Sequence, residues 1–345
     1  MAPVAPVIAT IRRVFTPNCQ PPIADLTRSA PRSQAPGSLV GRHPHVRTSN
    51  FDPPPLRLSS LSVFQRKREG SVICASCGVL VGVNDDRCYN CGRRNPGLWG
   101  FAPALRALGQ DLGFTKFVIG TCVILWGLTL VASRGNIGMS GLFSLLSPSP
   151  LAMFLFGASG SAPVFEDGRW WTVLSAGWLH WGALHLLFNM MVLRQMGPAT
   201  VELYGPGRTV IIYTAGCVLG FALSSFAGAY LPRLPFLAGA PLTAGASAPI
   251  AGLIGAIYHY GKRGGSSIAR SYATSYITAM VFYALFLPGI DNYAHAGGLA
   301  GGYLAAVYLD PLKPERVDHL VIALACIAAS LLSVVASVFS ILRLS

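Results

Sequence analysis

The chain has 345 residues, 52% of them hydrophobic and only 11% charged, where an ordinary soluble domain carries about 25% charged residues. That balance excludes a solvated globular enzyme and reads as a polytopic membrane protein embedded in a lipid bilayer. The net charge of +13 is concentrated at the start, where residues 1–68 hold many arginines and only two acids, Asp25 and Asp52; a membrane protein needs cytoplasmic positive charge in any case, so no nucleic-acid partner is expected.

In chain order, residues 1–68 are rich in Pro, Ser and Arg without a sustained hydrophobic period, and read as a disordered basic tail. No apolar core of secretory length follows Arg12-Arg13. The acid-poor start equally fits an organellar transit peptide or an over-extended gene start. Residues 69–97 carry Cys74-Ala-Ser-Cys77 and Cys88-Tyr-Asn-Cys91, two Cys-x-x-Cys pairs about ten residues apart. That spacing suits four thiolates around one structural, tetrahedral zinc, with Gly78 and Gly92 supplying the tight turns. The competing reading, a redox dithiol, lacks a thioredoxin-like context. So small a zinc-ribbon-like module depends on its metal to fold. Its thiols call for a reducing compartment, and it is a candidate docking point for a protein partner. Cys19, Cys122, Cys217 and Cys326 are scattered, so no disulfide framework is expected. Residues 98–114 read as a linker.

Apolar spans follow at 115–133, 178–196, 209–230, 247–260, 272–287, 292–309 and 320–342, separated by Gly197-Pro198, Gly205-Pro206-Gly207, Pro288-Gly289 and Asp310-Pro311. These predict an all-α polytopic fold: a membrane core over 115–310 and an additional C-terminal span within 311–345. The basic loop after the fourth span (Lys262, Arg263, Arg270), Arg194 and Arg208 near the end of the second, and the basic N-terminus all place the N-terminus in the cytoplasm. The fourth span has about fourteen residues, roughly 21 Å of helix, against a hydrocarbon core of about 30 Å. Its start therefore lies below the far surface, and the loop before it dips into the membrane beside protein or water.

That start reads Thr243-Ala-Gly-Ala-Ser247-Ala-Pro249. Proline fits only the first turn of a helix, so Ser247 lies at a helix N-terminus, where unpaired N–H groups and the dipole favour negative charge. This suits a nucleophile beside an oxyanion site, although a serine there is also an ordinary N-cap or small packing residue. His295, near the start of the sixth span, changes the balance, because ionisable residues inside spans are rare. Gly298 and Gly302 on that span and Gly252 and Gly255 on the fourth form small-residue faces that let two helices pack closely. Close packing brings a serine within reach of an imidazole. No acid is placed to complete a triad, since Asp291 reads as interfacial, so a Ser-His dyad is the economical reading. His185 and Asn189, four apart on the second span, share a face. The Asn189 amide can hold an oxyanion, while His180, one turn nearer the surface, reads as a packing or capping residue.

These motifs together resemble the rhomboid family of intramembrane serine proteases: His180-x4-His185-x3-Asn189, then Gly245-Ala246-Ser247 opening a short helix, then Ala294-His295-x-Gly297-Gly298, over roughly residues 115–310. The resemblance implies a six-helix bundle, here with a seventh span. It implies Ser247 as nucleophile, His295 as general base and acid, and His185, Asn189 and the Ser247 N–H as the oxyanion hole. It also implies serine endopeptidase activity on transmembrane protein substrates, with no cofactor for catalysis. The chain departs from the family at Ala248, where glycine is usual, at Ala251, where many members stack an aromatic on the histidine, and at Trp171-Thr172, where the family has Trp-Arg. A decoy, Gly157-Ala-Ser159-Gly160, matches Gly-x-Ser-Gly but lies in the loop before the second span. Ser247 is the preferred nucleophile. The expected location is a bacterial inner membrane, with an organellar membrane as the alternative. A catalytically inactive protein that binds or sorts membrane clients is the competing function. A transporter would need mid-membrane charges or inverted repeats, and neither is apparent.

Overall fold

A computed structural model describes residues 66–74, 78–102, 111–139, 145–234, 237–286, 289–313 and 315–342. The basic tail lies outside the described residues up to residue 65, as does Cys77. Arg66 and Lys67, read from sequence as the end of that tail, already bond to the small N-terminal module: Arg66 Nε donates to Trp99 O (2.7 Å) and Lys67 N to Gly100 O (2.9 Å). The module is a two-stranded antiparallel ribbon, β1 (Ser71–Ile73) and β2 (Leu80–Gly82), in the register Ser71↔Gly82. Val72, Val81 and Val83 close over Cys74 and Cys88 as its core.

The rest is helical. α1 (Phe114–Ala132) starts after Asp111, whose carboxylate accepts from Gly113 N and Thr115 N. α2 (Pro150–Phe156) has Ser149 as N-cap and proline at N1, the favoured opening. A π-helical turn (Ala162–Glu166) and the one-turn α3 (Thr172–Ser175) lead to α4 (Ala183–Tyr204), α5 (Pro206–Tyr230) and α6 (Ser247–Arg263). Then come α7 (Ser267–Phe286), α8 (Asn292–Tyr308) and α9 (Val317–Leu342). By length and composition alone, α1, α5 and the 318–340 stretch of α9 are apolar enough to cross a bilayer. Helix α6 is the centre: every residue from Ala248 to Ile257 is buried, and α4, α5, α7 and α8 all pack on it.

The expected spans map onto these helices, with differences in the second and fourth: α4 starts at Ala183 and not at Trp178, so His180 precedes the helix. Gly197-Pro198 does not end the second span. α4 runs through Pro198 to Tyr204, and the break falls at Gly205, whose φ of 90° leaves the helical region before Pro206 opens α5. The fourth span is longer than expected, seventeen residues, or about 25 Å, and Lys262 and Arg263 in its last turn complement the helix dipole.

Helices α5, α6 and α8 meet backbone to backbone. A Cβ on Gly298 would collide with the carbonyl of Ala248, one on Gly302 with that of Gly252, and one on Gly255 with that of Leu299. The first two contacts step by four residues in the same direction along both chains, so α6 and α8 run parallel and start at the same end of the bundle. On the third side, a Cβ on Gly216 would stand 3.0 Å from Gly252 Cα, and one on Gly220 2.8 Å from the Ala248 methyl.

Candidate active site and metal centre

Ser247 is the first residue of α6, and three local features hold it there. Gly245 has a φ of 151°, and a side chain on it would stand 2.8 Å from Cε1 and 2.9 Å from Nε2 of His185. Ala246 has no side chain to cap the helix, and its N–H donates to His180 Nε2 (3.4 Å). Pro249 in the first turn brings no N–H. Among the described residues nothing accepts from the N–H of Ser247 or Ala248, so two donors stand open beside the hydroxyl.

His295 lies in the first turn of α8, three residues before Gly298, and the α6–α8 seam brings it alongside the start of α6. Asp291 is the N-cap of this helix: Oδ1 accepts from Ala294 N (2.9 Å) and Oδ2 from Ser224 Oγ (2.5 Å). The carboxylate is thus committed to the helix start, and His295 Nδ1 is buried without a hydrogen-bond partner. Among the described residues no hydrogen bond joins Ser247 Oγ to His295.

His185 borders the same space as Ser247. Its Nδ1 accepts from Trp181 N (3.4 Å), and the point where a Gly245 Cβ would sit is 2.9 Å from its Nε2 and 3.5 Å from Ser247 Oγ. Asn189 is buried and gives one Nδ2 hydrogen to His185 O (2.8 Å), which leaves its second amide hydrogen. His180 is fully buried with its ring 5.2 Å from that of His185, so it supports both the Ala246 turn and the neighbouring imidazole.

The departures at Ala248 and Thr172 have structural answers. The Ala248 methyl points into α5, where Gly220 leaves room for it. Thr172 Oγ1 donates to Arg169 O (2.8 Å) and lies 3.3 Å from Ser159 Oγ. The decoy Ser159 is fully buried. It pairs by backbone with Thr243 in both directions (2.9 and 2.6 Å) and contacts Ser225 Oγ (3.3 Å). Sequence reading missed Arg169. Its signal was an arginine between Glu166-Asp167-Gly168 and Trp170-Trp171, in the loop that leads into the second span.

In the N-terminal module, Sγ atoms of Cys74, Cys88 and Cys91 lie within 4.8 Å of one another, those of Cys74 and Cys91 3.8 Å apart. The two cysteine segments repeat one hydrogen-bond pattern. Cys74 N donates to Val79 O and Gly78 N to Cys74 O; Cys88 N donates to Arg93 O and Gly92 N to Cys88 O. Gly78 and Gly92 have φ of 79° and 70°, the turn that glycine permits. Three thiols converging from paired turns form a cluster that could hold a metal ion.

Comparison with known proteins adds to this geometry. The Rhomboid domain matches residues 167–311. The chain is 32% identical to the rhomboid protease GluP of Bacillus subtilis (strain 168) over 157 residues, 45% of this chain and 29% of GluP. It is 30% identical over 156 residues to YdcA of the same strain, which also carries a rhomboid name, covering 44% of this chain and 72% of YdcA. It is 28% identical over 165 residues to Inactive RHOMBOID-like protein 8 of Arabidopsis thaliana, 45% of this chain and 42% of that protein. The chain thus spans well under two thirds of GluP and of the Arabidopsis protein.

Proposed function

From the premise that this chain belongs to the rhomboid family, we propose that it is an intramembrane serine endopeptidase that cleaves transmembrane helices of other proteins through a Ser247–His295 dyad. The observation that carries the reading is the α6–α8 seam. Glycine-to-backbone contact holds the two helix starts in parallel, with Ser247 on one and His295 on the other. Ser247 Oγ attacks the scissile carbonyl carbon while His295 takes its proton. The oxyanion accepts hydrogen bonds from the Ser247 N–H, the Asn189 amide and His185, a kind of donor worth about 10²–10³ in rate each. His295 passes the proton to the leaving amine, then activates a water that releases the acyl group and restores Ser247.

The second reading, a client-binding member without activity, draws on the inactive relative and on the missing Ser247–His295 hydrogen bond. Catalytic hydrogen bonds are often loose without substrate, so the first reading stands ahead. The test is cleavage of a single-span substrate by purified wild type, Ser247→Ala and His295→Ala. Cleavage by wild type alone supports the protease. Equal cleavage by all three overturns the dyad. No cleavage by wild type across several substrates favours the client binder.

The orientation proposed puts the N-terminus in the cytoplasm and the start of α6 toward the opposite face. The N-terminal module is proposed to bind one structural zinc through Cys74, Cys88 and Cys91, with Cys77 as fourth ligand. The metal would cross-link the two turns and take no part in peptide cleavage.

A further inference from the structure

Arg169 lies between α2 and α3 and is only 4% exposed. Among the described residues it forms no ion pair. Burial pulls its pKa below the ordinary arginine value while Asp167 acts in the opposite sense; a guanidinium stays protonated in proteins, so this is a buried cation whose direct side-chain hydrogen-bond acceptors are neutral, with Nε unpaired. Nη1 donates to Phe154 O at the end of α2 (3.0 Å), and Nη2 donates to Ser337 O in α9 (3.0 Å). Cζ sits 4.3 Å above the Phe154 ring. Beside it, Trp171 Nε1 donates to Ser337 Oγ (3.1 Å). The loop before α3 is therefore fastened to the additional C-terminal helix by a fork of donors on one residue, Ser337.

From this fastening a continuous buried path leads to Ser247. Thr172 donates through N and Oγ1 to Arg169 O (3.0 and 2.8 Å). The same Oγ1 reaches Ser159 Oγ, and Ser159 is bridged by backbone to Thr243. Gly245 N then donates to Ala176 O just beyond α3 (3.0 Å). Ser247 is two residues further on. Ser159 and Thr172 are fully buried and Thr243 nearly so, so water does not compete for these bonds. A buried cation is costly to keep. Its position at the head of this path gives a reason to keep it.

We infer that Arg169 is a positioning residue for Ser247, acting through Thr172, Ser159 and Thr243, and that α9 is through it part of the active-site frame. The inference rests on Ser247 being the nucleophile.

The test uses the full chain in detergent and two readouts: the labelling rate of Ser247 by an alkyl fluorophosphonate, and kcat and KM on a single-span substrate. The variants are Arg169→Gln, Arg169→Lys, Ser159→Ala, the Arg169→Gln/Ser159→Ala double and Ser330→Ala, whose hydroxyl donates within α9. Displacing a nucleophile by about 1 Å can cost roughly 100-fold, so Arg169→Gln and Ser159→Ala should each lower kcat and labelling by about 10- to 100-fold, while KM stays near wild type. The double variant should be no worse than the poorer single one, as expected of residues on one path. Arg169→Lys should recover part of the loss and Ser330→Ala should match wild type. Wild-type kcat in Arg169→Gln, or losses that multiply in the double variant, would overturn the inference. If Arg169→Gln does not fold, Ser159→Ala and Thr172→Val carry the test, and undiminished labelling in both overturns it. Ser247→Ala separates the two layers: labelling that persists there refutes the nucleophile itself, whereas labelling lost there but untouched by Arg169→Gln refutes only the positioning role.

Discussion

Adding one methyl at Gly298 tests whether the α6–α8 seam sets the catalytic geometry. The new Cβ would stand 2.9 Å from the Ala248 carbonyl carbon and 3.1 Å from its Cα, and nearer still to the oxygen. Ordinary carbon contacts are about 3.5–4.0 Å, so the helices must separate by roughly 1 Å at the residue next to Ser247. Overpacking costs about 1–3 kcal/mol, and alanine returns about 1 kcal/mol of helix propensity. Gly298→Ala should therefore stay folded in detergent while kcat falls roughly 100-fold. Gly127→Ala in α1, where no atom lies within 4 Å of the new Cβ, should keep wild-type kcat and be no less stable. The assay is cleavage of a single-span substrate with a thermal melt of each variant in parallel. Cleavage by Gly298→Ala within twofold of wild type would refute the claim that this seam positions the dyad.

Gly245→Ala sets a methyl against His185 in a backbone region alanine rarely adopts; the strain should cost about 1–3 kcal/mol of stability and kcat should fall at least about 100-fold, and a wild-type rate in the folded variant would count against His185 and Gly245 sharing the site. Metal analysis of purified protein should find one zinc per chain, lost in Cys88→Ala. Removing zinc with a chelator should unfold the ribbon, seen by loss of protease resistance over residues 69–97, while fluorophosphonate labelling of Ser247 persists. Arg208, buried in α5, donates to the carbonyls of Asp310 (3.2 Å) and Lys313 (2.8 Å) and to His319 Nδ1 (3.1 Å). Arg208→Met should destabilise the fold by about 1–3 kcal/mol, the cost of leaving buried acceptors unpaired, and loosen the attachment of α9; an unchanged melt would show that α9 needs no such anchor.

Much of this architecture was legible in the chain because hydrophobic runs and small-residue spacing report directly on helices and their closest contacts. His295 carries its own signal as an ionisable residue inside an apolar span, and Ser247 and the seam glycines Gly252, Gly255, Gly298 and Gly302 carry theirs through small-residue spacing. Pro198 was misread as a stop because local propensity sees only the lost N–H, whereas α4 continues through it, packed on its neighbours. Ser159 looked like an idle copy of a nucleophile motif. Its tie to Thr243 spans more than eighty residues of sequence, and no local pattern announces such a pairing. Arg169 escaped for the same reason, since its partner carbonyl belongs to a helix 168 residues away.

The glycine seam has a thermodynamic consequence as well as a geometric one. Glycine and alanine have no rotamers to freeze, so docking α5, α6 and α8 loses almost no side-chain entropy. In a bilayer, where apolar burial between helices gives little advantage, packing of this kind supplies much of the attraction. The frame under Ser247 therefore draws on dispersion between backbones, which weakens little on warming. Heating should loosen the aromatic outer face of α7 and the leucine-bearing outer face of α9 well before it disturbs the starts of α6 and α8 and the later half of α5, which meet around Gly220, Ala248 and Gly298.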